Sequence, residues 1–178
     1  MPAPGVNGDG GVPRADRVAG SAPPADYARD RALVEDTVAA FVLALDGRDI
    51  EGAVRCLAEE VTWDYASVNG RPAAVLGPGE LEARWNATLV HTDASQHFLS
   101  LPRIGVDGDR ATCTVHARVE MRLANPAGSP GTSTNGTYAF GLVRAGSGWL
   151  IASVTMVLLW NDGNPRIMEL AAEKGRRR

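Results

Sequence analysis

Three histidines supply the side chains best suited to proton transfer near neutral pH, because the unperturbed pKa of imidazole is about 6.5. They are His91, His97 and His116. His97 lies between Gln96 and Phe98 in a segment with strand character, and His116 lies in a longer segment of the same kind. General acid-base catalysis is therefore the first chemistry to consider.

The stretch 111–121 alternates between apolar and polar residues, a pattern typical of a β-strand with two unlike faces. Its polar face could point to solvent, as one face of an antiparallel sheet often does. In a sheet that curls around helices, the same face would instead line an internal pocket. We adopt the second interpretation, which places Thr112, Thr114 and His116 inside.

Asp46 is the carboxylate whose position is most informative. It follows an apolar helical stripe, so that its side chain lies at the rim of the core, where a carboxylate needs a histidine or an arginine as partner. Alternatively, as the residue before Gly47, it hydrogen-bonds its own turn. Tyr65, in the alternating segment 63–65, is either a core residue or a phenol at the mouth of a pocket.

The three histidines, together with Asp46 or Asp64, contain enough ligands for a two-histidine, one-carboxylate metal site. Their spacing matches no compact ligand motif, and we expect neither a metal nor another cofactor. The segment Gly77-Pro78-Gly79 does not suit phosphate binding, because proline lacks the N–H that such a loop donates. No Gly-x-Ser-x-Gly or His-Glu-x-x-His motif occurs.

Helical periodicity begins at Tyr27 and ends at the Asp46-Gly47 pair. Its apolar residues form one stripe, made of Val34, Val38, Phe41, Val42 and Leu45. Asp49 is a predicted N-cap for a short second helix, and Pro78 is the first residue of a third. A last helix is predicted from Asn164-Pro165 to about Ala172.

Strand signals dominate after the third helix. The predicted strands are 61–65, 96–104, 111–121, 135–144 and 149–160, with turns at 107–109 and 145–148. Helices followed by long antiparallel strands indicate an α+β fold, in which helices pack on one face of a curved sheet.

The chain has 178 residues, of which 44% are hydrophobic and 22% are charged, and this composition suits one soluble domain. A formal net charge of -3 provides no overall positive field for a nucleic acid. No apolar stretch approaches the roughly 20 residues of a membrane span, so no membrane partner is expected. Cys56 and Cys113 form no Cys-x-x-Cys motif, which favours a reducing, cytoplasmic location.

The two ends of the chain differ from its centre. Residues 1–26 contain five glycines and five prolines but no aromatic residue, too little apolar surface to offset the entropy of ordering them. We expect a disordered tail there, a single domain over 27–173, and a basic C-terminal tail over 174–178.

Several of these segments occur together, and in this order, in one known group of proteins. They are the elbow Leu45-Asp46-Gly47-Arg48-Asp49, the strand Trp63-Asp64-Tyr65, the strand Ser95-Gln96-His97-Phe98-Leu99, and the last strand from Trp149 to Trp160. In these segments the chain resembles the SnoaL-like branch of the NTF2-like superfamily, and within that branch it is similar to the scytalone dehydratases. The resemblance covers nearly all of 27–164. It implies a cone, in which a strongly bent antiparallel sheet wraps around helices and encloses a pocket.

The resemblance also implies a set of catalytic residues. Scytalone dehydratases eliminate water from a cyclic β-hydroxy ketone without a cofactor. Their catalytic aspartate falls on Asp46, their first catalytic histidine on His97 and their second on His116. One of their two substrate-polarising tyrosines falls on Tyr65.

Two positions depart from that pattern. Leu45 occupies the place of the other polarising tyrosine, and the pocket asparagine of the family falls near Tyr138. The aspartate and the first histidine are retained, while the substrate stays open. The residues expected to bind substrate are Trp63, Thr114, Tyr138 and Trp160.

The expected function is that of a cofactor-independent dehydratase or cyclase, acting on a hydrophobic polyketide-like or cyclic ketone substrate in natural-product biosynthesis. His97 would move the proton while Asp46 orients it. Tyr65 would hydrogen-bond the carbonyl oxygen, and His116 would hold the leaving group. Two alternatives stay open: a non-catalytic small-molecule binding module with the same fold, and an epoxide hydrolase or epoxide-opening cyclase.

We also expect a homodimer or a homotrimer. The polar-inside interpretation of the sheet leaves an apolar outer face that is too large to remain in water. Its members would be Val115, Ala117, Val119, Val154, Met156 and Leu158.

Overall fold

The computed structural model describes residues 26–126 and 128–177, so the predicted tail 1–26 lies outside the described residues except for Asp26. The helices are α1 (Tyr27–Gly47), α2 (Ile50–Arg55), α3 (Ala66–Asn69), α4 (Pro78–Ala87) and α5 (Ile167–Arg176). The strands are β1 (Leu57–Asp64), β2 (Ala74–Leu76), β3 (Ala94–Leu99), β4 (Arg103–Asp107), β5 (Arg110–Arg122), β6 (Gly131–Ala145) and β7 (Gly148–Gly163). None of the helices among these residues is long and apolar enough to cross a membrane.

The strands form one sheet in the order β2-β1-β7-β6-β5-β3, and β4 also pairs with β5. All pairs are antiparallel except β1 with β7. Two register shifts between β6 and β7 bend the sheet, one of them next to Gly136, where a side chain would collide with the carbonyl oxygen of Val157. The predicted α+β fold, with N-terminal helices on a curved and unclosed sheet, is confirmed.

Helix α1 packs its predicted apolar stripe against one face of the sheet, which we call the inner face. All five stripe residues are buried, and Phe41 contacts Phe140 of β6 with ring centroids 6.3 Å apart. The helix ends where Arg48 adopts a left-handed conformation, with a φ of 59°. Its backbone N–H then donates to the last helical carbonyls. Periodicity therefore predicted both the helix and the side that faces the sheet.

The inner face of β5 is the apolar one, so the expectation that its polar face lines a pocket is wrong. Val115 and Val119 are 3% and 4% exposed, whereas Thr114 and His116 are exposed. The apolar side chains lie under α1 because burying them is favourable, while burying hydroxyls and an imidazole without partners is costly.

The same correction applies to the predicted outer apolar face. Val115, Ala117, Val119, Val154 and Met156 are all buried on the inner side. The large apolar side chains that the outer face exposes are instead Phe98, Val157, Leu159 and Trp160.

Two predicted boundaries also differ. The strand predicted over 96–104 is broken at Pro102 into β3 and β4, because proline offers no N–H for the ladder. Helix α5 continues to Arg176, and Lys174 within it forms an ion pair of 2.9 Å with Asp93. Most of the predicted C-terminal tail is therefore part of a packed helix.

A buried ion pair lies at the beginning of α1. Asp30 accepts two hydrogen bonds of 2.9 Å from the guanidinium of Arg144 and one of 3.2 Å from the indole N–H of Trp149. The guanidinium stacks over the Trp149 ring, 4.4 Å from its centroid. We call Asp30, Arg144 and Trp149 the Asp30 cluster, which ties the start of α1 to the β6–β7 hairpin.

Candidate active site

The end of helix α1 holds Asp46 next to strand β3. Asp46 lies in the last turn of the helix, two residues before the left-handed Arg48. The guanidinium of Arg48 donates a hydrogen bond of 2.9 Å to the carbonyl of Thr92, in the segment that leads into β3. The helix end and the strand are thereby fixed relative to each other.

Both oxygens of Asp46 bind His97. The Nδ1 atom of His97 lies 2.7 Å from Oδ1 of Asp46, and the backbone N–H of His97 donates to Oδ2 at 2.7 Å. Strand β3 is at the edge of the sheet, so this N–H is satisfied by the carboxylate rather than by another strand. The side chains of His97 and Asp46 are 7% and 15% exposed. The structure therefore brings the predicted pair together and holds it with two hydrogen bonds.

Ser95 gives Asp46 a further donor that the sequence analysis missed. Its hydroxyl donates to Oδ1 of Asp46 at 3.2 Å. Ser95 precedes His97 by two residues on the same strand, and residues at that spacing share a face. Strand alternation would have identified Ser95 once His97 was chosen.

The charge balance at Asp46 favours the ionised form. Burial raises the pKa of its carboxyl, but the hydrogen bonds and charge of His97, with a smaller contribution from Ser95, outweigh burial and hold this pKa below its usual value. An ionised carboxylate accepts a proton-bearing Nδ1, which leaves Nε2 of a neutral His97 as the atom free to accept a proton.

Two predicted tyrosines meet on the inner face. The hydroxyls of Tyr65, after β1, and Tyr138, on β6, are 2.9 Å apart. The ring of Tyr138 lies 6.2 Å from the His97 ring, between centroids. Trp63 stacks on Tyr65 at 4.8 Å, with the ring planes 5° apart. Tyr65, Tyr138 and Trp63 are thus grouped with the Asp46–His97 pair.

These rings belong to a closed circuit of six aromatic side chains, in which each ring contacts the next at centroid distances between 4.8 and 6.3 Å. In order around the circuit they are Tyr65, Trp63, Trp85, Phe41, Phe140 and Tyr138. The circuit joins α1 and α4 to strands β1 and β6, with Tyr65 directly after β1. Through Tyr138 the circuit contacts the ring of His97 on the inner face.

Three other predicted site residues lie on the opposite face of the sheet. Thr114 and His116 are exposed there, and Trp160 is 55% exposed near the end of β7. His116 and Trp160 line an open outer groove of about 390 Å³, together with Phe98 and Arg118. Since β5 turns its apolar residues inward, the sheet separates these side chains from Asp46 and His97.

The histidines are too dispersed for the alternative metal site. His91 lies against Gly175 of α5, and His116 is on the outer face. Within 26–126 and 128–177, no group of three His, Cys, Asp or Glu residues is arranged to hold a metal ion.

The inner arrangement combines two chemical capabilities. An oriented imidazole can remove a proton from carbon and return it to a leaving group. A pair of buried phenols can hydrogen-bond an oxygen on which negative charge develops. Both lie on one side of the sheet, within the same aromatic surroundings.

Known structures with this fold come from several bacteria. The Kfla4162 protein of Kribbella flavida superposes with a TM-score of 0.75 at 23% identity, over 80% of this chain and 98% of that chain. A candidate scytalone dehydratase of Novosphingobium aromaticivorans gives a TM-score of 0.65 at 14% identity, over 77% and 89%. The hexachlorocyclohexane dehydrochlorinase LinA-type3 of Novosphingobium barchaimii gives 0.64 at 15% identity, over 78% and 92%. At these identities the likeness shows the fold.

The sequence itself identifies the family. No curated protein matches it. A family defined by the SnoaL-like domain matches residues 26–155, a range that runs from the start of α1 into β7 and contains Asp46, His97, Tyr65 and Tyr138. The resemblance that the elbow and the strand motifs indicated is confirmed, and the chain belongs to the SnoaL-like domain family.

Proposed function

We propose that the protein is a cofactor-independent lyase or cyclase that acts on a hydrophobic cyclic ketone or polyketide-like substrate through the Asp46–His97 pair. The observation that carries this proposal is the double hydrogen bond between the two residues, 2.7 Å at each oxygen of the carboxylate. A binding module has no need of an oriented imidazole whose second nitrogen, on the aromatic side of the sheet, has no hydrogen-bond partner among the described residues.

The reaction proceeds by proton transfer alone. Nε2 of His97 takes the proton from the carbon next to the substrate carbonyl, the C–H electron pair moves into an enolate, and the resulting imidazolium is stabilised by ionised Asp46. The enolate then re-forms the carbonyl and expels the β-hydroxyl, which receives the proton from Nε2 and departs as water. The tyrosine pair donates a hydrogen bond to the oxygen while it carries charge.

The other roles assigned from the sequence change accordingly. His116 faces outward and takes no part, so His97 alone both removes and returns the proton. Epoxide opening by an acidic pair would need a second carboxylate at Asp46, whose partners among the described side chains are His97 and Ser95. Several similar structures carry dehydratase or dehydrochlorinase names, and elimination is the chemistry that those names share.

A panel of cyclic β-hydroxy ketones tests the proposal, with loss of water followed by absorbance of the conjugated product. The wild-type protein and His116→Gln should turn over the same substrate at similar rates, since His116 lies outside the site. His97→Gln should be slower by about 10² to 10⁴. Equal loss in both histidine variants would contradict the proposed mechanism.

A homo-oligomer stays a prediction, now on a different surface. Phe98, Val157, Leu159 and Trp160 are between 48% and 60% exposed on the outer face of the sheet, and apolar groups of this kind favour association. Light scattering should report a dimer or trimer, and the substitution Trp160→Lys should shift the association equilibrium towards the monomer. A monomeric wild-type protein at micromolar concentration would refute the prediction.

A further inference from the structure

The two hydroxyls of the tyrosine pair carry two protons, and the hydrogen bond between them takes up only one. When two phenols share a hydrogen bond, one donates to the other, and the acceptor keeps its own proton for a third group. In the pair formed by Tyr65 and Tyr138 this third group is the substrate oxygen, so the two tyrosines have different tasks. Their surroundings indicate which of the two tyrosines contacts the substrate.

The position of Tyr138 makes it the tyrosine that contacts the substrate. Its ring is 6.2 Å from the ring of His97, and this is the ring contact that His97 makes among the described residues. Tyr65 lies on the far side of Tyr138, with its ring clamped against Trp63 at 4.8 Å. A substrate atom that is within reach of His97 therefore meets Tyr138 first.

The pKa directions of the two phenols agree with this order. Burial raises the pKa of Tyr138 to about 12, the hydroxyl of Tyr65 opposes that rise, and the charge of Asp46 adds to it. Burial raises the pKa of Tyr65 well above its usual value, and Tyr138 raises it further. Either hydroxyl can donate within the pair, and because the proton of Tyr138 is needed for a substrate oxygen beside His97, we assign Tyr65 as the donor. Donation to the oxygen of Tyr138 makes the remaining Tyr138 proton a stronger hydrogen-bond donor.

We propose that Tyr138 is the catalytic phenol, which hydrogen-bonds the substrate oxygen directly, and that Tyr65 is a positioning residue that orients Tyr138 and donates to it. This inference rests on the proposed function and moves the hydrogen bond to the substrate oxygen from Tyr65, to which the sequence assigned it, to Tyr138. No proton leaves either phenol during the reaction: the Tyr138 hydroxyl donates while the enolate exists and stays protonated when the carbonyl re-forms.

Binding of 4-nitrophenol tests the assignment without turnover, because its phenolate imitates an enolate oxygen and absorbs near 400 nm. At a pH equal to the pKa of the free probe, the wild-type protein should enrich the bound phenolate over the bound phenol. Tyr138→Phe should lower that enrichment about tenfold, since it loses a hydrogen bond to a charged oxygen. Tyr65→Phe should lower it only two- to threefold. Tyr27→Phe, at the third tyrosine of the chain, should leave it unchanged.

The possible results separate this inference from the proposed reaction. The assignment of Tyr138 is overturned if Tyr65→Phe lowers the phenolate enrichment more than Tyr138→Phe does. It is also overturned if the wild-type protein does not enrich the phenolate, whatever the turnover of His97→Gln. Should Tyr138→Phe fail to fold, Cζ carbon-13 spectra of the labelled wild-type protein decide instead. The probe should then shift the Tyr138 signal more than the Tyr65 signal, and the reverse order overturns the assignment.

Discussion

Helix α1 carries a largely buried carboxylate near each end, and the two have different partners. Asp30 faces the guanidinium of Arg144, whose hydrogen bonds are the main reason that the pKa of Asp30 lies below its usual value. Asp46 faces the imidazole of His97, where pairing outweighs the opposing effect of burial. A guanidinium keeps its protons throughout the physiological range, whereas an imidazole releases and takes one. A buried, paired carboxylate therefore points to catalysis only when its partner can exchange a proton.

The largest expected difference between the two ends of α1 is in turnover. Asp46→Asn should lower turnover by about 10² to 10⁴, because His97 loses both its orientation and the stabilisation of its protonated form. Asp30→Asn, which leaves His97 untouched, should stay within a few-fold of wild type. Steady-state rates on the best cyclic β-hydroxy ketone of the panel provide the measurement.

A double variant sharpens this prediction. Asp46→Asn combined with His97→Gln should lose little more than the slower single variant, because residues that act as a unit are non-additive. Losses that multiply would mean that the two side chains act separately.

Stability should show the opposite order. Asp30→Asn leaves the Arg144 guanidinium without its main carboxylate, and we expect this variant to lose more stability than Asp46→Asn, although less than for a fully buried pair because the Arg144 side chain is 30% exposed. Asp46→Asn should cost about 1 kcal/mol, since the amide oxygen still accepts a hydrogen bond. Free energies of unfolding from urea titrations compare the two, and a larger loss for Asp46→Asn would contradict the assignment.

Acid should weaken both ends of α1. The pKa values of Asp30 and Asp46 lie lower in the folded state than in the unfolded chain, so their stabilisation is complete above about pH 4 and is lost as the pH falls through the folded values. Asp30→Asn should therefore show a shallower fall in the free energy of unfolding between pH 5 and pH 2 than the wild-type protein. An equally steep fall would assign the acid sensitivity to other groups.

The smallest expected effect is that of metal removal. The imidazole of His97 and the tyrosine pair account for each proton and charge in the proposed reaction, so dialysis against EDTA should change neither the rate nor the midpoint of thermal unfolding. A metal ion retained in stoichiometric amount, with activity lost on its removal, would replace the acid-base assignment.

Local patterns predicted the helical part of the site. The stripe of α1 determined which side of the helix is buried and where it ends, and that placed Asp46 at the rim of the core. His97 followed from the strand segment around it and from the family resemblance. The helix and the strand that carry these residues depend on residues close in sequence, whose geometry is fixed by the helical and strand periods.

Features that depend on residues far apart in sequence could not be predicted from these local patterns. Alternation along β5 separated two faces, but the choice of the inner one depended on α1, which covers Val115 and leaves His116 outside. The contact between Tyr65 and Tyr138 depends on the pairing of β1 with β7 and of β7 with β6, which together contain three register shifts. A shift of one residue in the pairing of β6 with β7 would turn Tyr138 to the other face, and one in the pairing of β1 with β7 would do the same to Trp63.

The bond from the backbone N–H of His97 to Asp46 has a consequence for the behaviour of the protein in a crowded solution. An edge strand with free N–H groups is a template on which other chains can add strands and aggregate. At β3 the carboxylate of Asp46 occupies the N–H of His97, and it puts a negative charge where an incoming strand would have to place a carbonyl. The side chain that orients the histidine thus also blocks one position at which another chain could add a strand to this edge.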